Sequence, residues 1–450
     1  MATDLNSLLG RRFACACGQT HTVPTREVDL GRGALERLRG LAERHLPGAG
    51  GVIIADPNTW TLCGQRVHSL LAGITDRHVI LSRFDGKGKV QADDITLAGL
   101  RARLPADVSS LVCVGSGTLN DLTKLAATAS GIPSLCVATA PSMNGYPSAI
   151  AAITIRGVKS TEPCEPPLAI SCDTDVFSAA PPEMIQAGFG DLLSKNTSSA
   201  DWLMAHLITG EHYCDRCVQL VTDAERACRA RAADIGDGKP EAIELLMDGL
   251  IRSGVSMAMA GSSSPASGGE HLLSHYWDMT AAARGRNPDL HGRQVAVGTL
   301  LAARLYELLR ERTVARQDWR QRDSHMGEDE LRRHFEPLVG VETAGAIAEL
   351  SARKASAGGA AGDRARRIAA DAPAFWQSLE PLLIRADQLK ASLIAAGVPT
   401  SPEALGLTDE DVRCGLLYAR CIRNRYTVLD LAADLGLLEE LVPDVIAVLD

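Results

Sequence analysis

The feature that most constrains this chain is the order of its apolar runs. Short unbroken runs recur in its first part: GVIIA (51–55), HVILS (78–82), LVCV (111–114), LCVA (135–138) and LAIS (168–171). Runs too short for helices and apolar at nearly every residue read as strands buried on both faces. Helix-like stretches such as 33–44 and 120–129 separate them, which is the signature of a helix-covered parallel sheet. Residues 151–159 alternate around Arg156 and Gly157 and read as a hairpin arm inserted after the fourth strand.

From Pro181 onward strand signals vanish, and helical periodicity runs through 184–208, 241–260, 294–312 and 328–353. The last hundred residues also read as helical. The boundary is expected near 178–182, with an α/β domain over 1–180 and an all-α domain over 181–450. The Ala-, Gly- and Arg-rich stretch 355–367 reads as a loose connector. The stretch 261–269, GSSSPASGG, has a linker's composition, but its position just before a histidine pair marks it as a site loop.

Composition excludes several classes. The chain has 450 residues, more than one ordinary domain, and a formal net charge of −9. No basic stripe with interleaved aromatics appears, so a nucleic-acid binder is not expected. No run approaches 18 apolar residues, and residues 1–12 lack the apolar core of a signal peptide. The 12 cysteines are therefore expected to be reduced thiols of a cytoplasmic protein. Cys15 and Cys17, with His21, offer half of a zinc site, and Cys214 and Cys217 after His212 offer another half. The plainer reading puts the first pair in an N-terminal turn and the second on a helix.

The run 111–114 leads into Gly115, Ser116, Gly117, Thr118, Leu119, Asn120 and Asp121. A Gly-rich turn after a parallel strand lets backbone N–H groups approach a pyrophosphate, and the following helix points its positive end at the same anion. The spacing is not the dinucleotide fingerprint GxGxxG, so a tight turn is an equal reading. Asp56, ending the first run, is placed for a ribose or adenine edge; its alternative is a helix-capping aspartate. A second strand-end loop, 139–148, carries Thr139, Ala140, Pro141, Ser142, Asn144 and Ser148 and should face the ligand crevice.

The helical half holds the sharper chemistry. Asp191 and Lys195 in GFGDLLSK stand four apart, as do His271 and His275 in GEHLLSHYWDM, so each pair shares a helix face. His291 opens an apolar helix. A carboxylate and two imidazoles suit Zn, Ni or Fe(II) and leave positions for substrate.

In this order and spacing, ADPNTW (55–60), GSGTLND (115–121), TAPSMNGY (139–146), GFGDLLSK (188–195), GEHLLSHYWDM (269–279) and LHGRQVAVG (290–298) resemble the sn-glycerol-1-phosphate dehydrogenase branch of a known superfamily. That superfamily also holds iron-type alcohol dehydrogenases, glycerol dehydrogenase and 3-dehydroquinate synthase. The resemblance covers about residues 25–315. It implies a Rossmann-like dinucleotide domain, an all-α metal domain of dehydroquinate-synthase type, and an active site in the cleft. It also implies a metal on Asp191, His271 and His291, with His275 a turn away touching substrate. Asp56, the 115–121 turn, the Thr139–Ser142 loop and Ser148 would take NAD or NADP. Lys195 and Arg293 are candidates for a substrate phosphate. The implied reaction interconverts dihydroxyacetone phosphate and sn-glycerol 1-phosphate, or a related polyol phosphate, in a cytoplasmic homodimer. The rivals are a phosphate-eliminating lyase, a dehydrogenase of an unphosphorylated polyol, and a non-enzymatic descendant. The branch usually has Asp where this chain has Asn144, which bears on the substrate.

Overall fold

The computed structural model describes residues 4–82, 90–155, 158–315, 326–356 and 361–449. Ten strands appear among them: β1 (Arg12–Ala14), β2 (Thr20–Thr22), β3 (Glu27–Gly31), β4 (Gly51–Ala55), β5 (Thr75–Ile80), β6 (Ser110–Gly115), β7 (Ser134–Ala138), β8 (Ile150–Ile155), β9 (Val158–Pro163) and β10 (Ala169–Asp173). Six of them form one sheet in the order β3-β10-β7-β6-β4-β5, with every adjacent pair parallel. All residues of β4, β6, β7 and β10 are buried, which is why their sequences are unbroken apolar runs. The edge strand β3 is half-exposed along its length, and its EVDLG sequence carries no such run.

Helix α1 (Ala34–His45) buries Leu35, Leu38, Leu41 and Ala42, a stripe at helical spacing that packs in the core with Ile53, Val112, Val114 and Leu135. The Asp173 carboxylate at the end of β10 accepts from the Leu35 amide at 2.8 Å, satisfying one orphan donor of the first turn. Helix α2 (Gly117–Ser130) follows β6 directly. Strands β8 and β9 make the expected antiparallel hairpin; Arg156 and Gly157 lie outside the described residues.

The chain divides into two compact units: residues 1–192 with 216–263, and residues 193–215 with 264–450. The expected division at 180/181 follows the change from strand to helix. The first unit also takes in α3 (Pro182–Leu193) up to residue 192 and α6 (Pro240–Ala260). The Thr174 hydroxyl donates to Glu244 of α6 at 2.7 Å.

The second unit is helical. It contains α4 (Lys195–Thr209), α7 (Gly269–Ala281) and α8 (His291–Arg310) and extends through Leu438–Ile446. Three sequence expectations are corrected. The stretch 184–208 is two helices meeting at Ser194, and 328–353 is two helices broken at Gly340. The connector 355–367 is helical where described, through Val341–Ser356 and Ala361–Ala370. Arg364 holds it there, donating to both oxygens of Asp434 at 2.6 and 2.9 Å. Among the described residues, no helix is long and apolar enough to cross a membrane.

Gly188 shows how tightly the first unit is built. A Cβ there would stand 1.7 Å from the Pro141 carbonyl oxygen, so only glycine lets α3 reach the 139–142 loop. Gly188→Ala is expected to lower stability by about 2 kcal/mol or more, read as an earlier thermal unfolding midpoint; an unchanged midpoint contradicts the packing.

Candidate functional site

In the first unit, the candidate cofactor residues leave the carboxyl ends of neighbouring strands. After β4 the chain builds β5 on one side and returns to place β6 on the other. The connections after β4 and β6 therefore diverge, the arrangement in which doubly wound sheets bind ligands. Asp56 follows β4, Ser116 and Gly117 follow β6, and Thr139 follows β7.

Helix α2 has 14 residues, and its first intrahelical bond runs from the Asn120 amide to the Ser116 carbonyl at 2.9 Å. The amides of residues 117–119 are thus first-turn donors aimed outward, with the helix dipole behind them. Asp56 does what its alternative reading said: it caps Pro57–Thr59, accepting from the Thr59 amide at 2.8 Å. One carboxylate oxygen is used in that bond.

The loop 139–148 is pinned from inside. Lys124 is 1% exposed, and its Nζ donates to the carbonyls of Gly145 at 2.9 Å and Ile150 at 2.6 Å and to Ser148 Oγ at 3.2 Å. It also pairs with Asp121 at 3.0 Å, and Asp121 accepts from the Ala152 amide at 3.0 Å. Asp121 and Ser148, both expected to meet cofactor, thus also hold the hairpin and the loop. The Tyr146 hydroxyl donates to the Ala140 carbonyl at 2.7 Å. Lys124 was not among the expected site residues; a lone lysine inside an apolar helix was its signal.

Asn144 sits against Asp191. Its backbone N–H donates to Asp191 Oδ2 at 3.0 Å, and its amide reaches Oδ1 at 3.4 Å and Ser253 Oγ at 3.1 Å. Both carboxylate oxygens of a 1% exposed aspartate are met by donors of one residue. An aspartate at 144 would set a second carboxylate where the amide now donates.

The second unit gathers the histidines. Ring centroids of His271 and His291 lie 5.1 Å apart, and those of His275 and His291 5.2 Å, stacked at 14°. His271 Nδ1 is 2.9 Å from Glu270 Oε1. A carboxylate accepts, so Nδ1 carries the hydrogen and Nε2 presents a lone pair. His291 Nδ1 is 2.8 Å from Ser274 Oγ, and that hydroxyl donates its own hydrogen to Gln294 Oε1 at 2.7 Å. The hydroxyl can then only accept from His291, so Nδ1 carries the hydrogen there and Nε2 again presents a lone pair. Outer partners that fix a tautomer in this way are typical of metal-binding imidazoles.

Two buried carboxylates hold the start of α7. Glu270 also accepts from the Gly268 amide at 2.7 Å and the Thr197 hydroxyl at 3.0 Å. Burial pushes its carboxyl up, but the hydrogen bonds from His271 and the Gly268 amide outweigh that and keep it low. Asp201 accepts from the amides of Gly269 at 2.7 Å and Val428 at 2.8 Å and from the Tyr306 hydroxyl at 2.5 Å. Burial, with Glu270 nearby, raises it to about 8.

Lys195 is fully buried and donates to Ser194 Oγ at 3.0 Å and to the Ala266 carbonyl at 2.9 Å, which fastens the 264–266 turn. Asp278, seven residues beyond His271 and three beyond His275, escaped the sequence reading. One ligand atom each of His275, Asp278 and His291 lies within 4.8 Å of the others. Its spacing along α7 was the available signal.

Comparison with known proteins places the chain in a family. Residues 29–181 match the family model described as iron-containing alcohol dehydrogenase. The chain is 32% identical over 432 residues to glycerol-1-phosphate dehydrogenase [NAD(P)+] of Geobacillus stearothermophilus, covering 95% of this chain and 98% of that one. It belongs to the glycerol-1-phosphate dehydrogenase branch of the iron-containing alcohol dehydrogenases. The enzyme of the same name from Bacillus subtilis (strain 168) is 34% identical over 307 residues, 66% of this chain and 76% of that one. Two solved structures share the fold, each with a TM-score of 0.59. They are glycerol dehydrogenase from Schizosaccharomyces pombe, at 18% identity over 94% of this chain and 90% of that one, and an iron-containing alcohol dehydrogenase from Corynebacterium glutamicum, at 16% identity over 94% and 96%.

The Lys124 staple generates a direct test. Lys124→Met leaves Asp121, the Gly145 and Ile150 carbonyls and the Ser148 hydroxyl facing a buried thioether. It should cost about 3 kcal/mol of stability and weaken NADH binding, read by calorimetric unfolding and by nucleotide fluorescence titration. Wild-type values in both would contradict the assigned role.

Proposed function

We propose that the protein is a metal-dependent, NAD(P)-linked oxidoreductase that interconverts dihydroxyacetone phosphate and sn-glycerol 1-phosphate, or a closely related polyol phosphate. The observation that carries the reading is the pair of imidazoles tied at Nδ1 to Glu270 and Ser274, in a chain similar to glycerol-1-phosphate dehydrogenases along 95% of its length.

The proposed ligands are His271 Nε2, His291 Nε2 and the Asp191 carboxylate. This donor set fits Zn, Ni or Fe(II) and leaves coordination positions for substrate. When bound, the ion supplies Lewis-acid polarisation of the substrate oxygen, and NAD or NADP supplies the hydride acceptor or donor.

The chain's own residues do the rest. The first-turn amides within 115–121 hold the pyrophosphate, Asp56 takes the ribose or adenine edge, and the Thr139–Ser142 loop with Ser148 shapes the nicotinamide end. Asn144 aims the Asp191 carboxylate by donating to both of its oxygens. His275, one turn from His271, carries the hydroxyl proton away. Arg293, whose Nε lies 3.4 Å from Asp289, is the cation for the substrate phosphate, while Lys195 holds the 264–266 turn. The carboxylate ligand is Asp191, where the phosphate-eliminating branch of the superfamily typically has Glu, and this favours the dehydrogenase over the lyase. The reading places the enzyme in the cytoplasm as a homodimer.

A second ligand set, His275 with Asp278 and His291, is favoured by their mutual 4.8 Å proximity. The two sets separate cleanly. His271→Ala should lose both bound metal and turnover while Asp278→Ala keeps its metal; the reverse pattern assigns the ion to the second set. Asn144→Ala, which removes one donor to Asp191, should weaken metal binding about 10-fold or more, measured by competition with a chromogenic chelator. For the reading as a whole, chelated protein should fail to oxidise NADH or NADPH with dihydroxyacetone phosphate and recover on adding Ni, Zn or Fe(II). Turnover untouched by exhaustive chelation, or none with any metal in a protein that still binds NADH, defeats it.

A further inference from the structure

The N-terminal cysteines take no part in the proposed reaction. Strands β1 and β2 form an antiparallel ribbon pairing Arg12 with Thr22, Phe13 with His21 and Ala14 with Thr20. The connection closes tightly, with the Cys15 amide donating to the Gln19 carbonyl at 2.9 Å and the Gly18 amide to the Cys15 carbonyl at 3.0 Å. Gly18 sits at φ +85°, which a side chain disfavours. This knuckle holds Cys15 at its base, Cys17 at its tip and His21 on the return strand. Cys15, Cys17 and His21 each present a ligand atom within 4.8 Å of the others.

Cys17 Sγ lies 3.4 Å from His21 Nε2. A tetrahedral zinc with ordinary bond lengths spaces a sulfur and a nitrogen ligand about 3.6 Å apart. A second observation points to a ligand. His21 is 1% exposed, and its Nδ1 lies 2.7 Å from the Met259 carbonyl. A carbonyl only accepts, so Nδ1 carries the hydrogen and Nε2 turns its lone pair toward the cysteines. This is the carbonyl-oriented imidazole of a metal ligand.

The fourth donor follows from α6. Ser256, three residues before Met259 and on the same helix face, donates its hydroxyl to the Cys217 carbonyl at 3.0 Å. Cys217, in the first turn of α5 (Asp215–Arg229), is therefore anchored on the α6 face that receives His21. No disulfide joins any of these cysteines.

We propose that Cys15, Cys17 and His21, with one thiolate of the Cys214–Cys217 pair, bind a structural zinc-class ion distinct from the catalytic metal. Four protein ligands close the coordination sphere, so the ion carries no substrate. Its role is to fasten a ribbon of two three-residue strands, which has little core of its own, onto α6.

The test uses full-length protein carrying His271→Ala and His291→Ala, which removes the proposed catalytic ligands. Elemental analysis should still find about one zinc per chain. Cobalt exchanged into it should give a near-ultraviolet thiolate-to-cobalt charge-transfer band and the intense visible bands of tetrahedral cobalt. Cys17→Ser and His21→Ala should each abolish the band, as should one of Cys214→Ser and Cys217→Ser. The double variant without zinc and without a cobalt band overturns the site, leaving a thiol–imidazole hydrogen bond in its place. A band surviving Cys17→Ser, or surviving both Cys214→Ser and Cys217→Ser, overturns the ligand set. If a variant fails to fold, unsubstituted protein decides: after chelation, added zinc should raise its unfolding midpoint and cobalt should give the thiolate band, and absence of the band refutes the proposal.

Discussion

The histidine cluster depends on two carboxyl groups buried where a helix begins. Glu270 accepts from His271, the Gly268 amide and Thr197, while Asp201 accepts from the Gly269 and Val428 amides and from Tyr306. Each bond answers the desolvation cost of an interior carboxylate, and together they leave the first turn of α7 little freedom. His271 is thereby fixed in both orientation and tautomer. Ser274, relaying its hydrogen to Gln294, does the same for His291. The orientation of each imidazole is thus set by side chains behind it rather than by the imidazole itself.

The first unit follows the same logic with the charges reversed. Lys124, a cation buried under the 139–148 loop, gathers carbonyls of that loop and of the hairpin and pairs with Asp121. The loop shape is held from below, which frees its outer edge for a ligand. Asn144 then links this loop to Asp191, tying it to the acidic side chain of α3. The amide at 144 donates to Asp191, which an aspartate in its place could not do while ionised, and this gives the departure from the family's usual aspartate a physical sense.

The central strands and most long helices were legible because each carries one strong period. β4, β6, β7 and β10 are apolar throughout since both faces are covered, and α1 shows its stripe plainly. β3 and the β1–β2 ribbon were not legible: half-exposed edge residues and three-residue strands leave no pattern. The 355–367 stretch was misread because its order comes from partners far along the chain, Asp434 for Arg364 and, just before it, Asp430 for Lys354. In the site, ligand-type residues were legible from i, i+4 spacing. The partners that orient them were not, because Ser274 and Gln294 are ordinary helix residues until the fold brings them to His291. Asp56 was legible in both of its roles, and its capping role is the one visible without a ligand.

The central claim is net hydride transfer to a phosphorylated three-carbon ketone, and isotope transfer tests it most directly. Metal-loaded protein would be given dihydroxyacetone phosphate with NADH deuterated at C4, each face in turn. The account predicts glycerol phosphate bearing deuterium on its central carbon, of sn-1 configuration, from one face of the nicotinamide only. Phosphate release without deuterium in the product would contradict it and assign the site to elimination chemistry instead.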